Sequence, residues 1–437
     1  MAKDKSPRKR RSGKRSGGQT ITAKYGSTIQ DVTQISGDVL FQIFLSAPAS
    51  LAGSIRVREF KELIEERTRH FVGRDFIFRA IDEIIAKPDF PCGYLLIRGE
   101  PGIGKTALIA RLVQTRGYVH HFNIATQNIR SPRAFLENLC AQLIVRYDLG
   151  AATLPSEASR DSGYLVQLLA QATQKHDVVP LVVLVDALDE AEDVSLAPSA
   201  NRLYLPPVLP TGVFFVLTSR EKIDYRLDVD RREDIYLRDN DPQNLEDVQN
   251  YVRQFIHDHS EPMDQRIRSW NVGEDAFIDK ITEKSEGNFM YLVHVLDDIC
   301  HGRISQETID NIDDLPKGLK AYYERHWRVM RHQDPERFEQ IYESVLRFLA
   351  TVREPVSVSQ LQEWTKLDPA RIREVIRDWR PFLNEEGPDD MGERRYRIYH
   401  ASFREFLAQE GMGLKPFHNA IVETALAKIP GFRPANH

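Results

Sequence analysis

Cysteine is scarce in this chain of 437 residues, and long apolar runs are missing. The three cysteines, Cys92, Cys140 and Cys300, lie far apart and form no CxxC motif or Cys/His cluster. That spacing argues against a disulfide framework and against structural zinc, and it favours a reducing compartment. The best candidate for a membrane helix, residues 39–53, falls short of the roughly 20 apolar residues that a span needs. We therefore expect a cytoplasmic protein without a membrane span.

Charge is nearly balanced overall but unevenly placed along the chain. The net charge is −5, although residues 1–15 carry eight Lys/Arg and one Asp. A basic arm on an acidic body can bind nucleic acid or an anionic surface, and residues 3–15 keep that alternative open. No aromatic residue interleaves these charges to stack on bases, so we favour a disordered tail over residues 1–20.

The hydrophobic pattern changes along the chain, and the length predicts two or three domains. Before residue 240, apolar strands alternate with amphipathic helices, as in "GYLLIRG", "LVVLVD" and "GVFFVLTSR". Strands that are apolar throughout are buried on both faces, so they predict an α/β fold with a parallel five-stranded sheet covered by helices. Beyond residue 241 helices dominate, until "RRYRIYHASF" predicts a β-wing strand followed by a last helix.

A glycine-rich loop lies between an apolar strand and an apolar-periodic helix in "LLIRGEPGIGKTALI". The pattern Gly99-x-x-x-x-Gly104-Lys105-Thr106 in that context predicts a phosphate-binding P-loop. Its glycines, including Gly102, permit backbone angles that turn successive amides toward phosphate oxygens, and the helix adds its N-terminal dipole. We expect Lys105 to reach the β- and γ-phosphates and the Thr106 hydroxyl to ligate Mg²⁺.

A second motif, "VPLVVLVDALDEAED", is an apolar strand followed by five carboxylates. Phosphoryl transfer needs a carboxylate at the magnesium site and a group that orients the attacking water. Asp186 ends the strand, where ligands of open α/β sheets bind, and is the predicted magnesium-site carboxylate. Asp189 and Glu190 are the predicted hydrolysis pair, with Glu190 the better candidate for the base; the alternative for the pair is an exposed acidic turn. Ala187 is small and lets the backbone pass close to metal and phosphates.

These segments, in this order, resemble the NACHT-type STAND ATPases of microbial origin. "LVVLVDALDEA" is similar to the family's Walker B box, and "HFVGRD" to the loop that packs on adenine ahead of the P-loop. "VLTSR" ends in Arg220, which matches the sensor arginine that the γ-phosphate engages; a surface salt bridge is the alternative. The resemblance also implies that Pro316 contacts adenine and that His400 contacts the β-phosphate of ADP. A helix N1 proline and an interior histidine are the simpler interpretations.

The resemblance implies a set of nucleotide ligands and five segments. The expected ligands of ATP or ADP are Val72, Gly73, Arg74, Gly99, Pro101, Gly102, Ile103, Gly104, Lys105, Thr106, Ala107, Pro316 and His400. The expected segments are a basic tail (1–20), a β-prone interaction segment or linker (21–55), a NACHT nucleotide-binding domain (56–240), a helical domain (241–314) and a winged-helix domain (315–437).

The function that the resemblance implies is an ATP/ADP-dependent signalling switch. It would self-associate on activation, hydrolyse ATP slowly with Mg²⁺ and act in defence or cell-death signalling. An AAA-plus-like DNA-binding initiator or remodelling ATPase is the main alternative, and a scaffold that binds nucleotide without turnover is another. The candidate recognition helix, "DPARIREVIRDWRPFL", has four arginines but three acidic residues, which is a weak phosphate-binding face.

The segment "YGSTIQDVTQISGDVLFQIFL" admits two interpretations. Its Gln, Gly and regularly placed Ile/Val resemble N-terminal segments of microbial NACHT proteins that stack with a partner effector, which gives residues 21–45 a possible partner. The favoured interpretation is a linker with one edge strand docked on the core. In both, the alternation of Val39, Phe41, Ile43 and Leu45 predicts a strand.

Overall fold

The structure is a computed structural model that describes most of the chain from residue 35 onward. Among the described residues, no helix is both long enough and apolar enough to cross a membrane. The basic tail and residues 21–34 of the β-prone segment lie outside the described part. The described ranges are 35–124, 129–176, 180–192, 200–221, 226–302, 311–352, 354–387, 392–399, 401–409 and 413–428.

Five parallel strands form the central sheet, which confirms the predicted α/β fold. The strand order is β2-β3-β4-β1-β5. The central strands β1, β3 and β4 are buried almost throughout, whereas the edge strand β5 is mostly half-buried. Because all five run the same way, the residues that follow β1, β3 and β4 meet at one edge of the sheet. The bounds are β1 Gly93–Gly99, β2 Val119–Phe122, β3 Leu181–Asp186, β4 Val213–Ser219 and β5 Arg232–Leu237.

Helices pack around this sheet and share its apolar core. In this half the 3₁₀ turns are Ser156–Ser159, Leu188–Glu190 and Arg202–Tyr204. The α-helices are α1 Gly37–Leu45, α2 Ala49–Ile55, α3 Val57–Thr68, α4 Asp75–Ile85, α5 Lys105–Arg116, α6 Pro132–Arg146 and α7 Gly163–His176.

The strand predicted over residues 39–45 is wrong, because this stretch is helix α1. Leu40, Phe41 and Phe44 are buried at helical spacing, whereas Val39 and Leu45 are 42% and 63% exposed. The alternating residues therefore do not share a face, and the buried set packs beside the buried His120 ring. Ser36 begins the helix because its hydroxyl accepts the N–H of Val39. With α2 following, the described part of the β-prone segment is helical.

The second half of the chain is mainly helical, with one small antiparallel sheet in the order β6-β8-β7. This sheet lies in the region where the sequence predicted a winged helix. From α13, π-helical residues Phe338–Tyr342 lead directly into α14. The bounds are α8 Pro242–Asp258, α9 Ser260–Ser269, α10 Glu274–Ser285, α11 Phe289–Cys300, α12 Gly318–Gln333, α13 Pro335–Arg337, α14 Glu343–Thr351, β6 Val356–Ser357, α15 Val358–Thr365, α16 Pro369–Asp378, β7 Leu383–Glu386, β8 Arg395–Ile398, α17 Ala401–Gln409 and α18 Lys415–Leu426.

Local chemistry sets the start of several of these helices. Asp241 and Asp368 each accept a backbone N–H as N-cap, and each is followed by a proline at the first helical position. The cap accepts one of the backbone N–H groups of the first turn, which have no acceptor within the helix. Proline suits the first helical position because it has no N–H that would need an acceptor. These pairs fix where α8 and α16 begin.

The buried apolar side chains of the described residues form two separate cores. One surrounds the parallel sheet and includes α1 to α7. The other runs without interruption from α8 through α17, with Tyr323, Trp379 and Phe382 among its largest side chains. The helical and C-terminal regions are therefore joined by a shared core, while the sheet has its own.

Candidate nucleotide-binding site

The P-loop connects β1 to α5 in a conformation that needs its glycines. Gly102 and Gly104 have φ of +88° and +99°, in the left-handed region that favours glycine. A Cβ atom on Gly102 would also lie 2.6 Å from the Asn288 side-chain oxygen. The loop is therefore held tightly from the side of α11, and the first amides of α5 face the cavity beside it.

Lys105 is folded over this loop. Its Nζ donates to the carbonyls of Gly99, at 2.8 Å, and Glu100, at 3.0 Å. Burial lowers the pKa of Lys105, while the negative charges of Asp189 and Asp186 act in the opposite direction. The ammonium thus stands at the cavity wall with carboxylates nearby, where a phosphate oxygen would be its strongest partner.

Asp186 occupies the end of β3 and is 3% exposed. Burial raises the pKa of Asp186, whereas hydrogen bonds from the Thr218 and Thr106 hydroxyls oppose that rise. The Thr106 hydroxyl and the Asp186 carboxylate are therefore adjacent oxygen donors, the kind of ligand that Mg²⁺ takes beside nucleotide phosphates. When bound there, Mg²⁺ would neutralise charge on the β- and γ-phosphate oxygens.

Thr218 was missed by the sequence interpretation, although it lies in the quoted "VLTSR". Its hydroxyl donates to Asp186 Oδ1 and accepts the N–H of Ala187 at 2.9 Å. Ala187 itself has φ of +55°, a left-handed conformation that costs a non-glycine residue roughly 1–2 kcal/mol. The turn that it makes leads directly into the 3₁₀ turn Leu188–Glu190, and both Asp189 and Glu190, the predicted hydrolysis pair, line the cavity.

Arg220, which directly follows β4, links two carboxylates from different parts of the chain. Its Nε donates to Asp189 Oδ2 at 2.9 Å, and its Nη1 donates to Glu405 on α17. Burial lowers the pKa of Arg220, but the hydrogen bond and charge of Glu405, together with the charges of Asp189 and Glu190, outweigh it, so the pKa is raised overall. Ser219 adds a longer contact to Asp189, at 3.4 Å. The predicted sensor arginine is thus bound to an acidic partner from the C-terminal region.

Arg74 is 2% exposed and ties three elements together. Its backbone N–H donates to Asp247 at 2.8 Å, and its guanidinium donates to Asn244 and to the carbonyl of Ile103. The guanidinium also lies over the Phe289 ring, 4.7 Å from its centroid. Burial lowers the pKa of Arg74 to about 10, with Asp247 opposing. Arg74 therefore braces the P-loop against α8 as well as lining the cavity.

These elements surround a cavity of about 460 Å³, within the usual size range of small-molecule sites. Its wall includes the apolar side chains of Phe71, Val72, Phe289, Met290 and Val293. It also includes the charged side chains Lys105, Asp186 and Arg220, which follow β1, end β3 and follow β4. The C-terminal region completes the wall with Asn384, Arg397, Ile398, Tyr399 and Arg404. Apolar surface for a base and charged groups for phosphates suit a nucleotide.

Most of the predicted site residues meet at this cavity. Gly73, Gly99 and Ile103 are not part of its described wall; Gly73 packs on Asp247, and Gly99 and Ile103 accept hydrogen bonds through their carbonyls. His400 lies outside the described residues. Those that line the cavity are Val72, Arg74, Pro101, Gly102, Gly104, Lys105, Thr106, Ala107, Asp186, Asp189, Glu190 and Arg220.

The expected adenine contact of Pro316 stays a prediction. Pro316 is not among the described residues of the cavity wall, and its carbonyl accepts a hydrogen bond from Tyr291, at 2.6 Å. Phe289 and Met290 at the start of α11 do line the cavity. They follow the glycine of "SEGNFMYL". A glycine followed by an apolar helix start is the sequence pattern that could have indicated these two residues as part of the cavity wall.

The start of α11 is fastened to the P-loop. Asn288 caps the helix by accepting the N–H groups of Met290 and Tyr291, and its Nδ2 donates to the carbonyl of Pro101 at 2.9 Å. Met290 N–H also donates to the Gly102 carbonyl at 3.1 Å. The nucleotide loop and the helical region are therefore coupled by direct hydrogen bonds.

Comparison with known proteins gives one family match. Residues 70–203 match the AAA ATPase domain family, and no curated protein is significantly similar to the chain. A STAND protein (Signal Transduction ATPase with Numerous Domains) with a tetratricopeptide repeat sensor, from Pyrococcus horikoshii, is similar with a TM-score of 0.41 and 16% identity, over 82% of this chain and 46% of that one. A RuvB mutant from Thermotoga maritima is similar with a TM-score of 0.31 and 10% identity, over 78% and 97%. This chain thus spans less than half the length of the STAND protein.

The family match covers the P-loop and the strand that ends at Asp186. The parallel sheet, the left-handed glycines of the loop and the adjacent Thr106 and Asp186 agree with it. Residues 70–203 are therefore similar to an AAA ATPase domain, and the chain has the parallel sheet and the glycine-rich loop of a P-loop NTPase fold.

Proposed function

We propose that this protein is an ATP/ADP-dependent signalling switch of the NACHT/STAND type. The observation that carries the proposal is the composition of the cavity wall, which contains Arg397, Tyr399 and Arg404 of the C-terminal region as well as the P-loop residues. A nucleotide in this cavity touches both regions, so its phosphate number biases their arrangement through differential contacts. We call the arrangement with these residues on the cavity wall the closed state.

Two contacts hold the closed state across the cavity. Arg220 pairs with Glu405 on α17, and Arg67 of α3 donates to the hydroxyl of Tyr399 while lying 4.8 Å from the centre of its ring. Both contacts are polar and involve side chains of the cavity wall, Arg67, Arg220 and Tyr399. In our proposal ADP occupies the closed state, and ATP favours an open one that self-associates.

Hydrolysis resets the switch in this proposal. Lys105 holds the phosphates, Thr106 and Asp186 hold Mg²⁺, and Glu190 accepts the proton of a water that attacks the γ-phosphorus as its bond to the bridging oxygen breaks. Asp189 orients that water. In the closed state Asp189 is bonded to Arg220 instead, so hydrolysis needs the open state and the overall turnover is slow.

For binding partners and biological role, the proposal rests on the family resemblance alone. It places the protein in microbial defence or cell-death signalling, with self-association as the output and residues 21–45 as the candidate contact for an effector or sensor.

The deciding experiment measures mass by size-exclusion chromatography with light scattering, in ADP and in a non-hydrolysable ATP analogue with Mg²⁺. We expect a monomer with ADP and a larger assembly with the analogue. Lys105→Ala should remain monomeric in both, whereas Lys320→Ala, at an exposed position of α12, should behave as wild type. An identical mass in both nucleotides, with both shown to be bound, would overturn the switch.

A further inference from the structure

The contact between Arg220 and Glu405 joins the sheet edge to the C-terminal region. Arg220 Nε is bonded to Asp189 on its own side of the cavity, and Nη1 reaches across to Glu405. The two carboxylates differ in setting, since the Asp189 side chain is 8% exposed and the Glu405 side chain is 49% exposed. Glu405 is therefore the partner that water already competes for.

Arg220 lies within electrostatic reach of Lys105, the residue predicted to hold the terminal phosphates. It lines the same cavity as Lys105, and its positive charge acts to lower the pKa of Lys105. A terminal phosphate held by Lys105 would bring multiple negative charges and a bidentate geometry that a guanidinium prefers. Such a group and the half-exposed Glu405 compete for the same N–H donors.

We propose that Glu405 is a positioning residue that holds Arg220 away from a terminal phosphate and so sets the preference of the closed state for a nucleoside diphosphate. ADP leaves the Arg220–Glu405 pair intact, because it lacks the phosphate that competes for Arg220. ATP must break the pair before Arg220 can bind its γ-phosphate. The inference rests on the proposed function and adds to it the carboxylate that pairs with the predicted sensor arginine and competes with the γ-phosphate.

Glu405 can be replaced without dismantling α17. The helix is anchored by Phe403, Phe406 and Leu407, which are buried in the second core. An exposed ion pair contributes little to global stability. Effects on nucleotide preference are therefore separable from effects on folding.

The test measures dissociation constants of ADP and of a non-hydrolysable ATP analogue, both with Mg²⁺, by calorimetry on the full chain. In Glu405→Gln we expect the ratio Kd(ATP analogue)/Kd(ADP) to fall about fivefold, the scale of an exposed ion pair, with ADP affinity unchanged. Glu423→Gln, on α18, is the matched control and should leave the ratio at the wild-type value. An unchanged ratio in Glu405→Gln, or equal changes for both nucleotides, would overturn the role of Glu405.

Charge reversal provides a second readout. Glu405→Arg would place a second guanidinium beside Arg220, so it should raise hydrogen exchange in α17 with ADP bound, whereas Glu423→Arg should leave that exchange unchanged. Unchanged exchange in Glu405→Arg would contradict a direct pairing. If wild type binds neither nucleotide, the proposed function fails instead, so the two failures are distinguishable.

Discussion

The side-chain amide of Asn288 donates a hydrogen bond to the backbone carbonyl of Pro101, 2.9 Å away, and thereby fixes the P-loop to the first turn of α11. The same side chain caps that helix through its oxygen. Asn288 thus acts as a hydrogen-bond donor to the P-loop and as a hydrogen-bond acceptor at the helix start. Substitutions can remove one role and keep the other.

Asn288→Ala should lose both tasks, with a fall in stability of about 1 kcal/mol from the lost cap and weaker ADP binding. Asn288→Asp keeps the cap acceptor but cannot donate to Pro101, so stability should return while ADP binding stays weak. Thermal unfolding without ligand and ADP calorimetry measure the two effects. Equal ADP affinity in wild type and Asn288→Asp would show that the P-loop contact is dispensable.

Glycine substitutions at two positions should have opposite effects. Gly102→Ala places a Cβ atom against Asn288 at a φ of +88°, so nucleotide binding and stability should both fall. Gly53→Ala, inside α2 with open space around its Cβ, should raise stability by about 1 kcal/mol, because alanine favours helix. Denaturant unfolding with and without ADP compares them, and a tolerated alanine at position 102 would contradict the observed loop conformation.

Removal of the hydrolysis carboxylates should trap bound ATP. Glu190→Gln and Asp189→Asn are expected to lower phosphate release, by about 10²–10⁴-fold for loss of a general base, while ATP remains bound. Glu192→Gln, two residues after Glu190, is the matched control. The assay is phosphate release at saturating ATP with analysis of the bound nucleotide, and equal turnover in wild type and the Asp189/Glu190 double variant would refute the water-positioning role.

Acid should destabilise the second core through His294. Burial lowers the pKa of His294 to about 4, below the value near 6.5 of an unfolded histidine. Between these pH values the unfolded chain binds a proton at this histidine and the folded chain does not. The free energy of unfolding therefore decreases as pH falls from about 6.5 toward 4. His294→Phe keeps the stacking on Tyr322 and removes this proton.

The measurement is the free energy of unfolding at pH 7 and at pH 5. The loss between these values should be smaller in His294→Phe by about 2 kcal/mol, as proton linkage of one buried histidine requires. His301→Phe, at an exposed histidine just after α11, serves as the control. Parallel losses in wild type and His294→Phe would assign the acid sensitivity to other groups.

The central sheet and the phosphate site were predictable because their signals are local. An apolar strand, a glycine-rich loop and a helix occur consecutively around Lys105, and "LVVLVD" places Asp186 at a strand end without further information. The partners of these residues were not predictable. Arg74 binds Asn244 and Asp247, which lie about 170 residues later in the chain, and no short motif encodes such a pairing.

One error arose where a single pattern fits two structures. Alternating Val39, Phe41, Ile43 and Leu45 fits a strand, but Leu40 and Phe44 complete a helical face that the sheet core buries. Tertiary contacts decided between strand and helix here, and the period of the apolar residues does not report such contacts.

The uninterrupted core from α8 through α17 has a kinetic consequence. Separating its aromatic side chains would expose large apolar surface to water, so in the proposed opening we expect α8 to α17 to move as one body. Such a movement would break the hydrogen bonds of Asn288 to Pro101 and of Arg74 to Asp247 as well as the Arg220–Glu405 pair. The P-loop would then lose these supports when the cavity opens, and we expect nucleotide exchange to be slow in the closed state and fast in the open one.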